Sequence, residues 1–175
     1  GTLDVLRHGF ELMGLRAPLQ LAQFRPALAM NAELQARYAA NRLRVLRQVR
    51  TNHGDVIDLV LCLNGVPVAT AELKSDFTQD VNRAIDQYRF DRQPRPRGQA
   101  RAEPLLDFPR GALVHFAVSN RLVHMTTRLQ GPSTRFLPFN LGDGGGAGNP
   151  PYAQGHRTHY LWEQVWQRDS WLEII

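Results

Sequence analysis

Two acidic residues and one lysine lie within two neighbouring apolar segments of the chain. Asp58 interrupts the apolar run 56–63, and Glu72 and Lys74 end the run 66–74. A carboxylate in such a run is costly to bury unless it is paired or bound to a metal ion. Carboxylate oxygens suit Mg²⁺, and a bound Mg²⁺ activates water and offsets charge on a phosphate. The three residues therefore predict metal-assisted chemistry on a phosphate ester.

Lys74 is the only lysine among the 21 basic residues of the chain, and the other 20 are arginines. A genome that favours Arg codons explains this excess wherever only a positive charge is needed. Lysine differs from arginine because its ammonium group is compact and can release a proton. We therefore interpret Lys74 as a position at which arginine would not serve, on the same strand face as Glu72.

The geometry of this site depends on the turn between the two runs. Asn64-Gly65 between two β-rich segments predicts a β-hairpin, and the pair alone favours a two-residue turn. With a regular two-residue turn, Asp58 faces Ala71 and Glu72 points to the opposite face. A three-residue loop, 63–65, or one bulge would instead put Asp58 on the face of Glu72. The shared metal site requires one of these two irregularities.

The remaining pattern predicts an α/β fold with a small mixed central sheet flanked by helices. Apolar residues at helical spacing predict helices over 3–15, 31–40, 79–91 and 159–173. Further strands are expected around 43–50, 112–118 and 122–127. Pro-rich and Gly-rich segments over 94–104 and 142–151 indicate loops.

Composition limits the class of protein. At 175 residues, one domain covering residues 1–175 is expected. No apolar run reaches the ~20 residues that span a bilayer, so no membrane partner is expected. The single cysteine, Cys62, excludes an internal disulfide and a Cys-rich zinc site, and it fits a cytoplasmic location. The net charge of +5 suits a polyanionic partner.

The residues resemble a known nuclease family. Asp58 followed by Glu72-Leu73-Lys74 is similar to the PD-(D/E)xK nuclease core. Nearly the whole chain resembles the N-terminal part of the restriction (R) subunit of type I restriction-modification enzymes. The matching segments are 58–61, 64–67, 71–74, 84–88, 114–118, 125–127, 133–140, 146–150 and 160–163.

The resemblance implies roles for individual residues. Asp58 and Glu72 would bind Mg²⁺ together with the backbone carbonyl of Leu73, and Lys74 would be catalytic. The family places a Gln, three residues and a Tyr on the following helix. In this chain Gln87 is followed directly by Tyr88, and we expect both to be supporting residues. Asp91 stands where the family has its tyrosine, so the residue that fills the tyrosine role stays open.

The resemblance also implies a type I site-specific deoxyribonuclease domain that hydrolyses double-stranded DNA. The chain begins at Gly1 without a methionine and ends in an apolar pattern, so we expect a fragment of a longer polypeptide. ATP-driven motor domains would follow residue 175, and ATP would act only through them. Methyltransferase and specificity subunits would be partners, and the isolated fragment could be inactive. The alternative is a non-catalytic DNA-binding or assembly module that retains the nuclease fold.

Several arginines and histidines elsewhere in the sequence are candidates for a functional or a structural role. Arg83, Arg89 and Arg92 on the helix after Lys74 could contact DNA phosphates or form a solvated basic face. His156 and His159 have a spacing found in metal sites, but no acid or cysteine accompanies them at a suitable spacing, so a surface or loop role is preferred. His115 in an apolar strand is interpreted as a core histidine with a hydrogen-bond partner.

Overall fold

The computed structural model describes residues 1–28, 30–75 and 80–175 and contains one six-stranded mixed sheet. The strands are adjacent in chain order, from β1 to β6. Only β3 and β4 are parallel, and the other neighbours are antiparallel. With helices packed against this sheet, the α/β prediction is confirmed. In the described ranges, no helix combines the length and the apolar character that a membrane span requires.

The first three strands form an antiparallel sheet around the Asn64-Gly65 turn. They are β1 (Leu43–Arg50), β2 (Val56–Leu63) and β3 (Val66–Leu73). Asn64 and Gly65 have φ angles of 50° and 89°, and Leu63 pairs with Val66. The connection is thus a two-residue turn with positive φ at both central residues, as Asn-Gly favours. The alternative of a three-residue loop is wrong.

A bulge in β3 supplies the irregularity that the site requires. Leu61 pairs with Ala69, but Cys62 pairs with Pro67, so Val68 is an extra residue in β3. Beyond the bulge the register continues to Leu59 opposite Ala71. The next position in that register places Asp58 directly opposite Glu72. The bulge alternative is therefore the one that the structure contains.

The second half of the sheet follows a helix that crosses from β3 to β4. The helix is α3 (Val81–Asp86), and it continues as a π-helical segment (Gln87–Asp91). The predicted start at residue 79 lies outside the described residues. The strands are β4 (Val114–Val118), β5 (Val123–Thr126) and β6 (Leu137–Pro138). Val81, Ala84 and Ile85 pack on Ala117, which fixes α3 on the face that carries Glu72.

The opposite face of the sheet carries the larger core, which includes Leu61, Phe116, Leu161 and Trp171. Besides α3, the α-helices are α1 (Thr2–His8), α2 (Ala32–Ala40) and α4 (Arg168–Ile174). The prediction for α2 is confirmed within one residue.

The two predicted terminal helices are shorter than expected. α1 ends at His8, and the next residue, Gly9, has a φ of 75° and donates its N–H to the carbonyl of Val5. The stretch predicted as one helix over 159–173 contains a π-helical segment (Leu161–Val165), and Gln167 is extended before α4 begins. Apolar spacing alone does not detect such interruptions, because buried residues on both sides of the break still face one core.

Replacing Gly65 by alanine tests the turn. The position has a φ of 89°, and a Cβ there would meet no atom within 4 Å, so the cost is one of backbone conformation. We expect Gly65→Ala to lower the free energy of unfolding by about 1–2 kcal/mol. Gly155→Ala is the matched control, because Gly155 has no positive φ and its nearest neighbour is 3.9 Å away. Urea unfolding of both variants gives the comparison, and equal effects would contradict the turn.

Candidate active site

Asp58 and Glu72 meet on one face of the sheet, on the adjacent strands β2 and β3. The register places them opposite each other, where Cβ atoms lie about 4.5–5.5 Å apart. Asp58 is half-buried, whereas Glu72 is only 1% exposed. The two carboxylates are thus close enough to share one cation.

Asp58 is held by two hydrogen bonds, one to each oxygen. The side-chain amide of Gln48 in β1 donates to Oδ1 at 3.0 Å, and the backbone N–H of Leu73 donates to Oδ2 at 2.9 Å. Each carboxylate oxygen keeps further lone-pair capacity for another partner.

Glu72 is paired with Arg92. The Arg92 Nε donates to Glu72 Oε1 at 2.9 Å, while its two other nitrogens donate to Asp55 Oδ1 at 3.3 Å and the Val56 carbonyl at 2.9 Å. The Arg92 side chain is 12% exposed, so the guanidinium is largely enclosed. It therefore links Glu72 to the start of β2.

Burial dominates the protonation of Glu72. Loss of solvent raises the pKa of Glu72 to about 7, the Arg92 charge opposes this rise, and the nearby Asp58 carboxylate adds to it. Two carboxylates and one arginine leave a site that attracts further positive charge. A divalent cation would supply that charge and favour the ionised form of Glu72.

Lys74 follows β3 directly and is half-buried. Its backbone N–H donates to the Val118 carbonyl at 2.8 Å, which extends the pairing of β3 with β4 by one residue. By strand alternation Lys74 is on the side of Glu72, and Leu73 between them points to the other side. The sequence-predicted group of Asp58, Glu72 and Lys74 is brought to one end of one hairpin.

A buried hydrogen-bonded chain lies beside Glu72 on the same face. Thr70 Oγ1 is 2.8 Å from both the Tyr88 hydroxyl and His115 Nδ1. Burial raises the pKa of Tyr88, and it lowers the pKa of His115 to about 3, so both groups are neutral near pH 7. His115 is a core histidine with a partner, as predicted. Tyr88 supports the sheet face next to Glu72.

The π-helical segment explains how Tyr88 and Arg92 reach the site together. The Arg92 N–H donates to the Gln87 carbonyl at 2.7 Å, five residues back, so the turn is wider than in an α-helix. Tyr88 then contacts Thr70, and Arg92 contacts Glu72, on one face of β3. The Gln87 side-chain oxygen is buried and has no hydrogen-bond partner within the described ranges.

Arg92 is the site residue whose role the sequence prediction missed. The sequence left it as either a contact to DNA phosphates or part of a solvated basic face, whereas the structure places its guanidinium against Glu72 and Asp55. Two sequence features could have indicated this role for Arg92. They are its spacing from Tyr88 and the fact that a buried Glu72 needs a cation as partner. Arg83 is exposed, and Arg89 donates to the Thr134 carbonyl at 3.2 Å. Their contact with DNA phosphates stays a prediction.

The other candidates remain apart from this site. Within the described ranges, no group of three or more His, Cys, Asp or Glu side chains could hold a metal ion. The His159 ring stacks on Tyr152 at 3.6 Å. The candidate donors at the hairpin are the carboxylates of Asp58 and Glu72, and the resemblance adds the backbone carbonyl of Leu73. Such hard oxygen donors fit Mg²⁺, which fills its remaining positions with water.

The fold and the site together define a class of protein. A mixed sheet that carries Asp58, Glu72 and Lys74 at the β2–β3 hairpin is consistent with the α/β arrangement of a PD-(D/E)xK-like core. The chain belongs to the type I restriction enzyme R protein N-terminal family, whose model matches residues 33–134, more than half of the sequence. The resemblance to this family is confirmed over the matched residues. No curated protein and no solved structure matches the chain.

Replacing Glu72 by glutamine tests its environment. Because the folded pKa of about 7 exceeds the usual 4.5, stability from protonated Glu72 is present below pH 4.5 and is lost as pH rises through 7. Without metal, we expect wild type to lose about 3 kcal/mol relative to Glu72→Gln between pH 4 and pH 8. Urea unfolding measures this difference. Glu33→Gln in the exposed part of α2 is the control, and a pH-independent difference for Glu72→Gln would contradict the assignment.

Proposed function

We propose that the protein is the Mg²⁺-dependent DNA endonuclease domain of a type I restriction enzyme R subunit. The supporting observation is that the register of β2 and β3, continued by one pair, puts Asp58 opposite Glu72, with Lys74 directly after β3. Membership in the R protein family supports the restriction system and the nuclease class. The site chemistry adds the reaction, which is hydrolysis of a phosphodiester bond.

Asp58, Glu72 and the Leu73 carbonyl would hold the Mg²⁺ ion. When bound, the ion supplies an activated water and offsets the negative charge that develops on the phosphate. The hydrogen bonds to Asp58 from Gln48 and Leu73 orient its carboxylate. Arg92 donates to Glu72 Oε1 and so orients the Glu72 carboxylate.

Lys74 acts on the substrate in this proposal. Its ammonium group carries three donors, which orient the attacking water and bind the non-bridging phosphate oxygens. An arginine at this position is planar and larger, and it cannot release a proton. The requirement for a compact donor explains the lone lysine of the chain.

The remaining parts of the proposal concern the assembly. The domain would act on double-stranded DNA in a cytoplasmic complex with methyltransferase and specificity subunits. ATP would be used by motor domains of the R subunit, and Mg²⁺ is the cofactor proposed for the domain itself. Arg83 and Arg89 are proposed contacts to DNA phosphates, because such contacts hold DNA without reading its sequence.

The Asp58→Ala variant tests catalysis. In the intact complex with Mg²⁺ and ATP, we expect it to abolish plasmid cleavage while DNA binding and ATP hydrolysis continue, because only the ion site is lost. Glu33→Ala, which removes an exposed carboxylate of α2, is the matched control and should cleave at the wild-type rate. Cleavage by Asp58→Ala at the wild-type rate would instead support the non-catalytic assembly module.

The Lys74→Arg variant tests the specific need for lysine. We expect its cleavage rate to fall by about 100-fold with the fold and metal affinity retained, since charge is kept but its geometry changes. Single-turnover cleavage in the intact complex measures the rate. Arg37→Lys on α2 makes the reverse exchange at an exposed position outside the proposed site and should change the rate little. An unchanged rate for Lys74→Arg would exclude the catalytic role.

A further inference from the structure

Gln48 has an unusual backbone conformation in the middle of β1. Its φ is 52°, and in the described part of the chain Asn64 of the turn is the one other non-glycine residue with a positive φ. Residues other than glycine, asparagine and aspartate rarely adopt this region, because it costs free energy, and such a conformation persists only where the surrounding structure imposes it. Gln48 is exposed, so no burial of its own side chain accounts for that cost.

The conformation interrupts the ladder at one position. Arg47 pairs with Leu59 and Val49 pairs with Ile57, so the register is the same on both sides of Gln48. Gln48 lies between these pairs, at the position opposite Asp58. No residue is inserted or lost, and the irregularity is confined to the residue that faces the candidate metal ligand.

The side chain of Gln48 donates a hydrogen bond to the carboxylate of Asp58. Its Nε2 donates to Asp58 Oδ1 at 3.0 Å, while the Leu73 N–H donates to Oδ2. One donor at each oxygen fixes the plane of the carboxylate. Because a neutral amide donates without bringing charge, it orients Asp58 and does not compete with a cation for the site.

We propose that Gln48 is a positioning residue for Asp58, which it holds in the orientation that binds the divalent ion. The proposal rests on the proposed function, because it assumes that Asp58 is a ligand. The strained backbone at Gln48 directs its amide to Asp58. Glycine or asparagine would adopt this φ at a lower cost, but glycine has no amide and asparagine is one carbon too short to make the same contact.

Binding of Mn²⁺ to the purified protein tests the role directly, without any need for cleavage. Gln48→Gly keeps the backbone conformation, relieves its cost and removes the amide. We expect Gln48→Gly to unfold at an equal or higher urea concentration than wild type and to bind Mn²⁺ about tenfold more weakly, as loss of a partner to a metal ligand generally does. Gln48→Asn should behave in the same way, because it tolerates the φ and loses the contact.

Two comparisons make the result decisive. Val45→Ala changes an exposed residue of the same strand opposite Leu61, on the other face, and should leave Mn²⁺ affinity unchanged. Asp58→Ala should abolish the same binding. Unchanged Mn²⁺ affinity in Gln48→Gly would overturn the role of Gln48 alone. If the wild-type protein does not bind Mn²⁺, or if the Asp58→Ala variant still binds it, both this inference and the proposed metal site would be overturned.

Discussion

Burial of the Glu72 carboxylate is the constraint on which the rest of the site depends. An ionised carboxylate that is 1% exposed requires positive charge close by, and Arg92 supplies it from the π-helical segment. The same arginine binds Asp55 and Val56, so the charge also connects the helix to the start of β2. The raised pKa of Glu72 shows that one arginine compensates only in part. A divalent cation beside Asp58 would complete the compensation.

The irregularities of the structure converge on this same point. The Val68 bulge sets the register that brings Asp58 opposite Glu72. The π-helical segment widens the helix, so that Tyr88 and Arg92 both contact β3. The positive φ of Gln48 occurs opposite Asp58 in the neighbouring strand. A regular sheet and a regular α-helix would not produce this arrangement, and departures of this kind are common at functional sites.

The sequence predicted the elements better than it predicted their irregularities. Apolar alternation and the Asn-Gly pair were sufficient for β2, β3 and the turn, because these signals are local. The position of the bulge was not predictable, since one extra residue in β3 leaves the apolar pattern of 66–73 unchanged. The partnership of Arg92 with Glu72 was missed for a related reason. Twenty arginines look alike in the sequence, and only the register and the width of the helix decide which one reaches the buried acid.

The central claim is that Asp58 and Glu72 share one divalent ion. The most direct measurement is a crystal structure of the protein with Mn²⁺, in which anomalous scattering locates the ion. The account predicts one peak bound by a carboxylate oxygen of each residue, at about the 2.1 Å typical of small hard cations. A structure in which Asp58 and Glu72 point to opposite faces of the sheet, or in which the ion binds elsewhere, would contradict it.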